Sequence, residues 1–246
     1  MYNIERQEKI LEILREKKSA SVIELSKALS YSEATIRRDL TELSRDLKVR
    51  KTFGGAVIVE KYSSSIPSKV RSNENIAVKE KLAMQASKLI RDNMTLFLAE
   101  STTVEHLLPH LYKFNDLTVV TNSIEIPIRL ASTNITVFST GGKLLKNSSS
   151  FIGEYARKMI RQINADITFF SVRGLSENGK LTTSSTEDEI ISTMIENSKK
   201  SCLLIDDSKF NNVYPYNLCS IKDIDTIVTN AKLPNGLTHD DIIITK

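Results

Sequence analysis

The chain predicts an α/β protein in two parts, a small winged helix-turn-helix followed by a larger domain built on a mainly parallel sheet. Three observations carry this. Residues 1–58 read as three short helices and a Gly-Gly hairpin. Residues 61–75, "KYSSSIPSKVRSNEN", have few apolar positions, three serines in a row and a proline, the composition of a joint. From there on, apolar β-rich runs alternate with helical runs, the pattern of a parallel sheet covered by helices. The expected boundaries are 1–60, a linker at 61–75, and 76–246.

In the first part, Ile4, Ile10, Leu11, Ile13 and Leu14 share one helical face between Asn3 and Lys17. Ser21 is a good N-cap, and Glu24 three positions on completes a capping box. The helix it opens turns Val22, Leu25, Ala28 and Leu29 inward. "SYS" at 30–32 is a tight turn, and Ser32 caps a third helix whose apolar residues are Ala34, Ile36, Leu40 and Leu43. "LKVRKTF", Gly54-Gly55 and "AVIVE" then alternate as a hairpin. In the second part the strands fall at 94–99, 117–122, 135–142, 165–172, 201–206 and 224–230, with helical stretches such as Ser123–Ala131 and Gly153–Ile163 between them.

Charge separates the two parts. Of the net +4, residues 1–61 hold 13 Lys and Arg against 10 Asp and Glu, and the remainder 21 against 20. The excess lies in the first part and points weakly to an acidic partner there. Two cysteines, Cys202 and Cys219, show no zinc spacing, so no metal and no cofactor is expected. The charged opening has no signal-peptide core, and no apolar run approaches a membrane span. A cytoplasmic protein without membrane contact is expected.

"SEATIRRDLTEL" (32–43) is the most informative stretch. Ile36 and Leu40 share the buried face, leaving Ser32, Glu33, Thr35, Arg37 and Arg38 on the first two turns, where a recognition helix meets base edges. One arginine can reach a base and the other a phosphate. Asp39 is expected to pair with a neighbouring arginine. A solvated surface helix would look similar taken alone. The wing decides between them: Lys48, Arg50, Lys51 and Thr52 lead into Gly54, and a basic strand beside a basic helix clamps phosphates. Ser21, at the start of the second helix, is added to the expected DNA-facing set.

These segments together resemble one family. Arg6 to Leu14, then "S-EA-T-I-R-R-D-L" (32–40), then "RKTFGGA" (50–56) are similar to the DeoR family of bacterial transcriptional regulators. Weaker matches follow at "TNS" (121–123), Gly141-Gly142, Gly153, Asp166, "DDSKF" (206–210) and "DID" (223–225). The resemblance implies a Rossmann-like second domain related to sugar-phosphate isomerases that binds a phosphorylated sugar. A helix-turn-helix reader of two half-sites on a double-stranded operator is further expected to be a homo-oligomer, dimer or tetramer. The residues of the second part can be tested against that expectation. Polar groups stand at the ends of successive strands, where an open α/β sheet binds ligands. They are Ser101, Thr102 and Thr103; Asn122 and Ser123; Gly141 and Gly142; and Asp206, Ser208 and Lys209. Lys209 is the best cation.

Three positions depart from the family pattern. Where it has Asp-x-Gly-Thr-Thr, this chain reads Ala99-Glu100-Ser101-Thr102-Thr103. Serine in place of glycine would be strained at positive φ. Glu100 facing the pocket would repel a second anion ~5 Å away by roughly 3 kcal/mol at an effective dielectric of ~20, making a dianionic phosphate a poor ligand. Ile191 stands where the family has a lysine, and Arg173 is the expected compensation. An enzyme with an accessory DNA-binding domain is the competing reading. Against it, the isomerases' Asp-Gly-Ala-Asp region reads "FSVR" at 170–173, which supplies no carboxylate base. Asp206-Asp207 could pass for a metal pair, but adjacent strand residues face opposite ways, and Asp207 reads better as a hydrogen-bonded carboxylate. No catalytic residue is expected.

Overall fold

A computed structural model describes residues 3–17, 19–45, 49–52, 54–58, 68–145, 148–184 and 189–245. The chain divides into two compact units, Met1–Ile66 and Pro67–Lys246.

In the first unit, α1 (Asn3–Lys17) leads into β1 (Ser19–Ser21), α2 (Val22–Leu29), α3 (Glu33–Arg45) and the ribbon β2 (Val49–Thr52) and β3 (Gly55–Ile58). The capping box forms as expected: the Ser21 hydroxyl accepts from the Glu24 N–H and the Glu24 carboxylate accepts from the Ser21 N–H. Ser30 ends α2 in the left-handed conformation, and the Ser32 hydroxyl accepts the Thr35 N–H (3.2 Å) to open α3. Ile10, Leu11, Leu14, Val22, Leu25, Ile36, Leu40 and Leu43 form the core, closed by Val49 and Ala56. Ala28 and Ala34 are exposed rather than inward. A methyl contributes little by burial, so each helix is oriented by its larger leucines and isoleucines. β1 was not foreseen; it pairs antiparallel with β3 and makes the wing a three-stranded sheet, β1-β3-β2.

The second unit begins within the stretch read as a linker. Residues 61–67 lie outside the described residues, whereas Ser68–Arg71 forms α4, followed by α5 (Ile76–Ala86). The sheet strands are β4 (Thr95–Leu98), β5 (Thr118–Thr121) and β6 (Thr136–Ser139), with α6 (Leu108–Leu111) and α7 (Glu125–Leu130) between them. A small hairpin, β7 (Lys143–Leu145) and β8 (Ser150–Ile152), precedes α8 (Glu154–Ile160) and β9 (Ile167–Phe170). A side sheet joins β10 (Gly174–Leu175), β11 (Lys180–Thr183) and β13 (Tyr216–Ser220). Between them come α9 (Glu189–Glu196) and β12 (Ser201–Ile205), and the chain continues to β14 (Thr226–Thr229) and β15 (Ile242–Ile244).

The main sheet has the order β15-β14-β12-β9-β4-β5-β6 with all pairings parallel. Its strands alternate between two cores. Leu96 and Leu98 face α5, α6 and α7, while Phe97 and Ala99 face α8 and α9. This is the doubly wound Rossmann-like arrangement, with helices on both faces. The chain runs outward from β4 to β6 and then returns to lay β9 on the other side of β4. The order therefore reverses between β4 and β9, which opens a crevice at the carboxyl ends of those two strands.

Candidate functional site

On the first unit, the exposed face of α3 carries Glu33, Arg37 and Arg38. Arg37 lies 3.3 Å from Glu33 and Arg38 3.5 Å from Glu42, one helical turn away in each case. Arg38 is 82% exposed, so these surface pairs are weak and open to exchange for phosphate. Asp39 does not pair with either neighbour. It is buried and takes a bidentate contact from Arg6 of α1 (Nε 2.5 Å, Nη2 3.0 Å), whose guanidinium also sits 4.8 Å from the Tyr31 ring centre. Asp39 shares the inward face with Ile36 and Leu40, so its charge fixes α3 against α1 and leaves the arginines outside.

The wing is tied to this helix. Lys51 donates to the Thr41 hydroxyl (3.1 Å), which in turn donates to the Arg37 carbonyl (2.7 Å). Gly54 turns the ribbon with φ +103°, and its carbonyl accepts the Val22 N–H. Thr52 and Gly54 are exposed. The Arg50 backbone lies in β2; its side chain, and Lys48, are outside the described residues. The Ser21 hydroxyl is spent on the cap. One exposed face thus presents Ser32, Glu33, Arg37, Arg38 and Lys51.

On the second unit, the loops after β4, β5, β9 and β12 meet at one end of the sheet. The Thr102 and Thr103 side chains are buried at 5% and 3% exposure, and neither hydroxyl has a hydrogen bond among the described residues. The Ser101 hydroxyl accepts the Thr103 N–H (3.1 Å). Ser101 does not have positive φ, so the strain expected from losing glycine there is absent. The helix that follows begins as a 3-10 turn, Val104–Leu107, before α6.

The other polar residues divide by role. Asn122 is scaffolding: its amide oxygen accepts the Glu100 N–H (2.8 Å) and its amide nitrogen donates to the Phe151 carbonyl (3.3 Å). The Ser123 hydroxyl caps α7 by accepting from Glu125 and Ile126. Asp206 caps the turn at Asp207–Lys209, accepting from the Ser208 N–H (3.1 Å) and hydroxyl and from Asn75 (3.5 Å). Asp207 faces away and exchanges two hydrogen bonds with Asn230, which rules out a shared metal pair with Asp206. No cluster of metal ligands exists among the described residues. Gly141 and Gly142 follow β6; a Cβ on Gly142 would meet the Ile152 carbonyl at 2.7 Å, so that position needs glycine to seat the β7–β8 hairpin.

What remains in the crevice is a group of cations. Lys209 and Arg173 make no side-chain hydrogen bond or close ion pair among the described residues. Burial holds the Lys209 ammonium below its ordinary range, against the pull of Asp206. Two further cations were missed. Arg71 of α4 is pushed down to about 10 by burial and by Arg173, with Glu100 and Glu105 opposing. Lys79 of α5 is 4% exposed and drops to about 8, again chiefly through burial and then through Lys209; its ammonium donates to the Arg71 carbonyl. Asn75, which reaches both Asp206 and Ser208, was likewise read as linker. The only sequence signal was a charged, polar spacing at 71, 75 and 79. Glu100 is turned inward, 3.6 Å from Arg71. Phe170 and Ile191 are packed in the core, so neither the "FSVR" stretch nor the missing lysine position adds a carboxylate or an amine to the crevice.

Comparison with known proteins agrees with this geometry. A DeoR-like helix-turn-helix domain matches residues 6–62, and a DeoR C-terminal sensor domain matches residues 74–231. The chain is 35% identical over 231 residues to the uncharacterized HTH-type transcriptional regulator YulB of Bacillus subtilis, covering 93% of this chain and 89% of that one. It is 30% identical to the L-fucose operon activator of Haemophilus influenzae, covering 94% of each. It is also 30% identical to the transcriptional repressor AccR of Agrobacterium fabrum, covering 92% and 89%. With a basic helix-and-wing surface on one unit and a ligand crevice on the other, the chain belongs to the DeoR family of DNA-binding transcriptional regulators.

Proposed function

We propose that this regulator represses an operon of sugar metabolism and is released by a small sugar-derived anion bound in the β4–β9 crevice. The observation that carries the effector reading is the convergence of Arg71, Lys79, Arg173 and Lys209 beside two threonine hydroxyls that are uncommitted among the described residues. Buried cations that repel one another are costly unless an anion offsets them. A phosphorylated sugar is the class that the family resemblance implies. The sign of control differs between relatives, one an activator and one a repressor; repression is the simpler design, in which an unliganded oligomer holds the operator.

DNA contact is assigned to Ser32, Glu33, Thr35, Arg37, Arg38, Arg50, Lys51, Thr52 and Gly54, while the hydroxyl of Ser21, expected among them, stays with its cap. The arginines and Lys51 supply the charge, and Ser32 and Thr35 the neutral donors. Effector contact is assigned to Thr102, Thr103, Arg173 and Lys209. Ser101, Asn122, Ser123, Gly141, Gly142, Asp206 and Ser208 shape the cradle around them. A dimer or tetramer fits a reader of two half-sites about one helical turn, ~34 Å, apart. We assign the chain no catalysis. Asp166 is committed to the Thr95 N–H (2.8 Å) and Lys199 (2.8 Å), and the 170–173 stretch offers no base.

Thermal unfolding of the full chain against pentose and hexose phosphates and sugar acids tests the effector reading. At least one compound should raise the transition temperature, and Lys209→Ala should abolish that rise. No stabilisation by any of them would make the second unit an oligomerisation module. Turnover of a sugar phosphate would overturn the non-enzymatic assignment.

A further inference from the structure

Glu100 does something that a phosphate-binding loop would not require. Its side chain is 11% exposed and that of Arg71 is 13% exposed, and the two charged groups stand 3.6 Å apart. The loop backbone holds it there, since the Glu100 N–H is fixed by Asn122. Arg71 reaches it from α4. Around this pair lie the other cations, Lys79, Arg173 and Lys209. Among the described residues, the carboxylates that act on Arg71, Lys79 and Lys209 include Glu74, Glu100 and Asp206, with Glu105 pushed up to about 7 by burial and by Glu100.

We propose that Glu100 is a specificity-determining residue: its carboxylate is a built-in anion for Arg71, so the site takes a singly charged sugar derivative in preference to a doubly charged one. This rests on the crevice being the effector site and names the charge class that it accepts. A second negative group a few ångströms from Glu100 meets repulsion worth on the order of tenfold to a hundredfold in affinity. Removing the carboxylate takes from a buried guanidinium the negative charge 3.6 Å away. The site then draws in a dianion to replace it.

The test uses the full chain and two inorganic probes, sulfate as a dianion at every relevant pH and acetate as a monoanion, read by thermal shift. Sulfate also stabilises proteins without binding, so the double variant Glu100→Gln with Arg71→Gln gives the baseline. Glu100→Gln should unfold at lower temperature than the natural chain in the absence of anions. Its apparent sulfate affinity should rise on the order of tenfold, and its preference for sulfate over acetate should rise with it. The double variant should lose that gain. Should Glu100→Gln fail to fold in dilute buffer, sulfate must restore its transition. An unchanged sulfate dependence, a gain that persists in the double variant, or no restoration would each overturn the proposal. None of these readings involves DNA, whereas failure of the effector reading shows as operator binding indifferent to every sugar derivative.

Discussion

Glu105 shows how burial makes an ordinary carboxylate titrate near neutrality. It lies on the turn after the threonines, 3.9 Å from Arg129, and burial raises it to about 7, with Glu100 and Glu125 adding repulsion and Arg129 and Arg71 opposing. Its unfolded value is near 4.5. Between those two values the folded chain holds a proton that the unfolded chain has lost. Stability from this group is therefore complete below pH 4.5 and is lost as pH rises towards 7. The full swing is on the order of 3 kcal/mol. Glu105→Gln imitates the protonated form, so the difference in unfolding temperature between variant and natural chain should grow in the variant's favour from pH 5 to pH 7. A constant difference over that range would show that Glu105 stays charged. Lys79, lowered to about 8, acts only above this window.

At the scale of elements, α3 is the part whose role was most legible in advance. Its register follows from Ile36, Leu40 and Leu43 at helical spacing, and its start from Ser32; both signals lie within a few residues of the helix itself. Arg37 is 58% exposed on the face so defined. Arg37→Ala should weaken operator binding by about 1–3 kcal/mol and relax sequence preference at one position, measured by titration against single-base operator variants. Equal loss on all sequences would make it a phosphate contact. The strands of the main sheet were legible for the same reason, since buried β-runs bounded by turns stand out locally. What escaped was long-range. Asp39 finds Arg6 thirty-three positions away, which no local spacing reveals. β1 is three residues long and owes its pairing to β3. Arg71 and Asn75 looked like a solvated joint because their sequence is polar, Lys79 lay just past that joint without a local signal, and only folding of α4 and α5 against the sheet end brings these polar groups together. Thr102, Thr103 and Lys209 could be placed at strand ends in advance because strand ends mark themselves, whereas Arg173 was named from a departure from the family pattern. Whether Asn122 and Ser123 hold a ligand or the scaffold depended on partners the sequence does not order.

At the scale of the molecule, the account joins two units with different tasks. The first carries a basic surface on a helix held in place by the Arg6–Asp39 ion pair. The second carries a group of buried cations and carboxylates at the carboxyl end of its sheet. Ligand binding can alter DNA binding only by favouring one arrangement of an oligomer over another. Residues 59–67 separate the wing from α4, and α4 supplies Arg71, so the sensor's first element is itself part of the crevice. The most direct test is operator binding by the full chain, followed by footprinting and fluorescence anisotropy on DNA upstream of its gene neighbourhood, with and without a panel of sugar acids and sugar phosphates. The account predicts two protected half-sites about one helical turn apart, affinity that falls steeply with salt, and release by one panel member that Lys209→Ala abolishes. Sequence-specific binding that no member of the panel alters in either direction would contradict it.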